Sequence, residues 1–141
     1  MGVWKLSDFG ISKDGTSGGF KATPNQSGSN GYRPPEILDE NFPEFNNKVD
    51  IWGLGCVMSE LLTGQKVFDD DWAVIHYSRD PTLLNIIVPQ TGQPDLDKIL
   101  LGVEELLLSM FEIRAVKRMS AKFALEHLCK IVLSISMMRK R

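Results

Sequence analysis

Cysteine, long apolar runs and blocks of like charge are all scarce in this sequence, and each scarcity excludes something. The only cysteines are Cys56 and Cys129, with no further pair at a spacing that would make a disulfide framework or a metal knuckle. Both read as core thiols of an intracellular protein. No apolar stretch approaches the roughly 20 residues that a membrane-crossing helix needs. The 16 basic and 18 acidic residues leave a net charge of -2 and form no long block, so the basic footprint of a nucleic-acid binder is missing. The opening MGVWKLSDFG lacks the basic-then-apolar order of a signal peptide. With Leu6 after Lys5, it also fails the myristoylation pattern M-G-x-x-x-[ST]. A soluble, cytoplasmic or nuclear protein without nucleic-acid or membrane partners is expected.

What is present suits one domain, since 141 residues with 43% hydrophobic content can bury a single sizeable core. The centre of the chain is Lys48 to Gly64, KVDIWGLGCVMSELLTG. Its apolar residues fall on every side of a helical wheel, which predicts a helix buried all round. Gly53 and Gly55 each cost a helix interior roughly 1 kcal/mol relative to Ala, so both are expected where neighbouring backbone packs closely. Gly64 suits the C-cap.

Before this helix, Val3 to Leu6 alternates weakly and predicts a short strand. Lys13 to Asn30 is rich in Gly, Ser, Thr, Asn and Pro and predicts a long loop. Pro35 to Leu38 can open a short helix, and Asn41 to Asn47 reads as a polar connection. After it, Asp69, Asp70 and Asp71 favour a helix starting near Trp72, which the prolines at 81, 89 and 94 then fragment. Leu96, Ile99, Leu100, Val103, Leu106, Leu107, Met110 and Phe111 recur at helical spacing. Ser120 caps a last helix whose expected inward stripe is Ala124, Leu125, Leu128, Cys129 and Val132. Arg139, Lys140 and Arg141 form a short basic end.

Three motifs occur in order: Ser7-Asp8-Phe9-Gly10, then Gly31-Tyr32-Arg33-Pro34-Pro35-Glu36, then Lys117-Arg118-Met119-Ser120-Ala121. With the glycine-bearing helix between the last two, the chain resembles the eukaryotic protein kinases, serine/threonine type. The resemblance covers the part of a kinase that starts just before Asp-Phe-Gly. It implies a mainly α, partial kinase fold: a helical C-terminal lobe with a short N-terminal strand and a long activation-segment loop, spanning 1–135, with 136–141 as a basic tail.

The resemblance also implies roles. Asp8 would hold the magnesium ion that bridges the ATP phosphates, because a hard dication needs an anionic oxygen there. Phe9 would pack inward to set the direction of Asp8, and Gly10 would supply the freedom for the turn. The loop hydroxyls Thr16, Ser17, Thr23 and Ser27 are candidates for a phosphate that orders the segment, with an unregulated linker the equal alternative. Ser29, Gly31 and Tyr32 would support the protein substrate at the residue after the phosphoacceptor, Ser29 standing where the family has Thr and Pro34 where it has Ala. Glu36 and Arg118 would pair across the lobe. Asp50 matches an Asp that anchors the catalytic loop, and without that loop serves as a helix N-terminal carboxylate.

His76 to Asp80 with Asn85 imitates a catalytic loop, but it lies after the central helix and has Thr82 where a lysine is usual, so it reads as surface. The sequence holds no Gly-rich phosphate loop, no strand lysine in a V-A-I-K context, and no catalytic Asp or Asn ahead of Asp8. Phosphoryl transfer needs that constellation acting together. The chain alone is therefore expected to be inactive and to bind neither ATP nor magnesium tightly, whatever the parent activity. Two readings result. One is a fragment of a kinase that phosphorylates protein Ser/Thr and meets protein substrates or regulators; the position of Met1 favours it. The other is a noncatalytic interaction module, a scaffold or decoy.

Overall fold

The computed structural model describes residues 3, 5, 7, 9–10, 21–22, 28–39, 44–86 and 88–138. Among them the chain forms five α-helices and one two-residue strand pair. The elements are β1 (Lys21–Ala22), α1 (Pro35–Leu38), β2 (Glu44–Phe45), α2 (Val49–Thr63), α3 (Asp71–Arg79), a 3-10 turn (Pro81–Leu83), α4 (Pro94–Met110) and α5 (Ala121–Met138). β1 and β2 are antiparallel, with Lys21 opposite Phe45. The expected loop from Lys13 to Asn30 is thus interrupted by β1. Val3 and Lys5 lie in no strand; the other residues of the strand expected at Val3 to Leu6 lie outside the described set.

Local sequence chemistry sets the helix ends. Asp70 is the N-cap of α3, its carboxylate accepting from the Ala73 N–H at 2.9 Å. Gly64 closes α2 at φ 75°, a left-handed conformation that glycine adopts without a Cβ clash, and its N–H reaches the Glu60 carbonyl at 2.8 Å. Pro35 and Pro94 open α1 and α4, where the missing N–H costs nothing.

The core is an aromatic cluster on one side of α2. Trp52 stacks on Phe68 with ring centroids 5.3 Å apart and meets Phe111 edge-on at the same distance. Tyr77 of α3 lies 5.5 Å from Phe68. Leu106, Leu107 and Met110 of α4 complete the cluster, all fully buried. Fully burying such side chains contributes about 1.5–3 kcal/mol each.

Two expectations are corrected here. First, α2 is not buried all round: Ile51, Trp52, Gly55, Cys56 and Ser59 face inward, while Leu54, Val57 and Leu61 are 42%, 46% and 72% exposed. Its two glycines differ accordingly. A Cβ on Gly55 would sit 3.0 Å from the Met110 Cβ and 3.2 Å from the Phe111 ring, whereas one on Gly53 would meet nothing within 4 Å. The close neighbours of Gly55 are side chains of α4 and the residue after it, not backbone. Second, α5 packs on α4 through Ala124, Leu128 and Ile131, and Leu125, Cys129 and Val132 face outward. Apolar residues occupy two neighbouring stripes of this helix, and α4 covers only one. Cys129 is therefore an exposed thiol, and only Cys56 is a core one. The last helix continues unbroken to Met138, past the position at which a tail was expected to begin.

Candidate functional site

The segment from Gly28 to Glu36 is held from three sides. At Gly31 the backbone has φ +80°, and a Cβ there would lie 2.6 Å from the Phe68 carbonyl oxygen. Only glycine fits so close to the chain that leads into α3. The Gly31 N–H donates to Asp71 Oδ1 at 2.9 Å, and the Asp71 N–H donates to Asn30 Oδ1 at 2.8 Å. Arg33 Nη2 meets Asp71 Oδ2 at 2.6 Å. Asp71, the first residue of α3, thus uses both carboxylate oxygens and its own N–H on the same stretch, Asn30 to Arg33.

Tyr32 is anchored to α2. Its hydroxyl donates to Glu60 Oε2, and the Lys66 ammonium lies 5.0 Å from its ring centroid. Holding that proton against a carboxylate raises the Tyr32 pKa above the ordinary phenol value, with burial adding to the effect. The Tyr32 N–H also closes a turn onto the Ser29 carbonyl at 3.1 Å. Ser29 itself is exposed. The three residues expected to support a substrate, Ser29, Gly31 and Tyr32, therefore lie in one braced turn, Ser29 to Tyr32.

Glu36, in α1, meets Arg118 in the loop before α5. Arg118 Nη1 lies 2.7 Å from Glu36 Oε1, and Nη2 lies 2.9 Å from Oε2. The Lys48 carbonyl accepts from Nη1 at 3.1 Å, while the Lys48 ammonium donates to the Arg118 carbonyl. Burial, and then the nearby guanidinium, hold the Lys48 pKa below the ordinary lysine value. Asp50 is exposed in the first turn of α2. Among the described residues it has no hydrogen bond or ion pair, which leaves its interaction with the helix N-terminus.

Asp8 lies outside the described residues, as do Thr16, Ser17, Thr23 and Ser27. Gly10 is in a turn. Phe9 is 68% exposed, a correction to its expected inward packing: the described residues offer it no apolar wall. Among the described residues no group of three or more His, Cys, Asp or Glu side chains could hold a metal ion. Of the imitation catalytic loop, His76, Arg79, Asp80 and Asn85 are exposed as expected, but Tyr77 is not surface: it is buried in the aromatic core. Asp80 instead caps the 3-10 turn, accepting from the Thr82 hydroxyl at 2.6 Å and its N–H at 3.1 Å, which lowers its pKa.

Asn30, Glu60 and Asp71 were not foreseen as parts of this site. Asp71 was legible only as a helix-start carboxylate, because its partners lie 40 residues earlier. Residues 1–129 match the protein kinase domain family. The chain belongs to the protein kinase family. It is 33% identical over 111 residues to the RAC-beta serine/threonine-protein kinase of Rattus norvegicus, a stretch that is 70% of this chain and 20% of that relative. It is 44% identical over 69 residues to serine/threonine-protein kinase nekl-2 of Caenorhabditis elegans, 49% of this chain and 18% of that protein. Serine/threonine-protein kinase RCK2 of Saccharomyces cerevisiae is 39% identical over 71 residues, 50% of this chain and 11% of its own length. The matched part is thus no more than 20% of the length of any of these relatives. Kinases of this family use ATP and magnesium. No helix among the described residues is long and apolar enough to cross a membrane.

Proposed function

We propose that this kinase chain is the substrate-supporting, helical portion of a serine/threonine kinase domain, and that it works only when the rest of that domain packs against α2. The observation that carries this reading is the apolar strip Leu54, Val57 and Leu61, open to water on the helix with the most apolar sequence. Contiguous exposed apolar surface marks an interaction face. An independent scaffold or decoy would leave that strip wet, which favours the kinase reading over the interaction module.

In the complete domain, the γ-phosphate of ATP passes to a Ser or Thr hydroxyl of a protein substrate. In that reaction Ser29, Gly31 and Tyr32 form the shelf for the residue after the acceptor. Glu36 and Arg118 keep the shelf attached to the lobe, and Asp50 holds the incoming catalytic loop. Magnesium, when bound, neutralises the transferring phosphates. Its proposed ligand Asp8 lies outside the described residues, among which no group of three or more His, Cys, Asp or Glu could hold a metal ion. The 141 residues hold no catalytic base, and the isolated chain is inactive.

Two assays test this. Purified 141-residue chain incubated with ATP, magnesium and Ser/Thr peptides is expected to transfer no phosphate; stoichiometric transfer would overturn the reading. Leu54→Glu with Val57→Glu should leave the melting temperature of the isolated chain within a degree or two and abolish activity of the complete kinase domain. Unaltered activity of that domain would show that nothing essential packs on the strip.

A further inference from the structure

The contacts of Asp71 go beyond a helix-start carboxylate, and their consequence rests on the kinase reading above. All three lead to one stretch: Oδ1 accepts the Gly31 N–H, Oδ2 meets Arg33, and the Asp71 N–H is held by Asn30. Asp70, one residue earlier, already caps α3 through Ala73, so the side chain of Asp71 is not needed for the cap. Behind the turn, the Phe68 carbonyl presses on Gly31 too closely for any side chain, and Phe68 belongs to the aromatic core. The start of α3 and the Asn30–Arg33 stretch therefore move as one piece. A charged acceptor holding a backbone N–H at 2.9 Å sets the orientation of that peptide plane, and with it the neighbouring Ser29 and Tyr32.

We propose that Asp71 is a positioning residue of the kinase: by clamping Gly31 and Arg33 to the start of α3, it fixes the shelf that selects the substrate residue following the phosphoacceptor. It touches no reacting atom. Its action is through Gly31.

The clamp is read first in the 141-residue chain by amide hydrogen exchange, which does not depend on catalysis. In Asp71→Ala, the Gly31 and Tyr32 amides should exchange roughly tenfold faster or more, the loss of one charge-assisted hydrogen bond. Amides of α2 and α4 should keep their wild-type rates. Asp71→Asn, which retains one acceptor oxygen, should fall between. Asn30→Ala changes only an exposed residue and should also speed Gly31 exchange, which covers the case in which Asp71→Ala fails to fold. Unchanged Gly31 exchange in Asn30→Ala and Asp71→Asn, or equal acceleration everywhere, overturns the clamp.

Selection is read in the complete kinase domain, with two peptides that differ only at the residue after the acceptor Ser. Asp71→Ala should shrink the wild-type ratio of their kcat/KM values roughly tenfold, mainly through KM, with Asp71→Asn restoring part of it. Equal loss on both peptides would make Asp71 merely structural and overturn the selecting role. A wild-type domain that phosphorylates no peptide would overturn the kinase reading and the selecting role with it, while the exchange result still decides whether the clamp exists.

Discussion

Arg118 holds Glu36 by two parallel hydrogen bonds of 2.7 and 2.9 Å across 82 positions of sequence. The rest of the guanidinium is also engaged: Nε donates to the Glu112 carbonyl at 2.9 Å, Nη1 to Lys48 and Nη2 to Ile113. Its face lies 5.0 Å from the Trp52 ring centroid. All five donors of the fork thus have acceptors, although the residue is 1% exposed. One side chain ties α1, the N-terminal end of α2 and the turn after α4 together.

Removing either partner strands the other charge. Glu36→Ala and Arg118→Ala are each expected to cost about 3–5 kcal/mol, a large part of the stability of an ordinary domain. Arg118→Lys should recover little, because a point charge cannot serve five acceptors in a plane. Urea melts of the three variants check this; midpoints equal to wild type for Glu36→Ala and Arg118→Ala would refute a structural role for the pair.

The two glycines of α2 should respond in opposite directions. Gly53 has open space where its Cβ would stand, so Gly53→Ala in the 141-residue chain should stabilise by roughly 1 kcal/mol through helix propensity. At Gly55 the new methyl would meet the Met110 Cβ at 3.0 Å. That atom is fixed to the α4 backbone and cannot swing away. Gly55→Ala should therefore destabilise by about 1–3 kcal/mol, the usual cost of overpacking. The same sign for both substitutions would refute the asymmetry.

Both glycines looked alike in the sequence, and the reason shows where sequence reading stops. Helix propensity identifies a glycine as costly but does not say which neighbour requires it; that depends on which face of α2 meets α4. The same limit explains α5, where Leu125 and Leu128 are equally apolar but only the latter meets α4. Local signals did better. Gly64 at the C-cap, Pro35 at the start of α1 and the acidic run before Trp72 all act within a turn of themselves, and all were legible. Of the site, the Glu36–Arg118 geometry was anticipated through family resemblance, whereas the Asp71 contacts were not. They join residues 40 apart and follow no local pattern. Phe9 was misplaced because inward packing requires a wall that the described residues do not build.

Tyr77 bridges α3 and the end of α4. Its hydroxyl donates to the Phe111 carbonyl at 2.9 Å while its ring lies in the aromatic core. Tyr77→Phe keeps the ring and strands a buried carbonyl, which costs about 1–3 kcal/mol. Burial raises the Tyr77 pKa above the ordinary phenol value, so at pH 10 a smaller fraction of this side chain should be phenolate in the folded protein than after unfolding. Ultraviolet difference spectra at 295 nm, with Tyr77→Phe as the blank, measure this. Equal ionisation of Tyr77 in the folded and the unfolded chain at pH 10 would show the ring to be open to water.

The two thiols give the clearest pH prediction. Cys56 is 2% exposed in the core, and burial pushes its pKa up from the ordinary 9.0 to about 12. Cys129 is exposed on α5. At pH 8, a thiol-specific disulfide reagent should therefore titrate one cysteine at once and the second only after unfolding. The raised pKa also links stability to pH. The unfolded chain releases the Cys56 proton near the ordinary value while the folded chain retains it, so this stabilising contribution is fully present below about pH 9 and is lost as pH rises toward about 12. Other groups titrate in the same window, Tyr77 among them, so the comparison must be between wild type and Cys56→Ala. From pH 8 to pH 10.5 the wild type should lose more stability than the variant, even though the variant is weaker at pH 8 for lack of the buried sulfur. Parallel loss in the two proteins, or two fast-reacting thiols at pH 8, would mean that Cys56 is not sealed beneath Gly31 and the aromatic core.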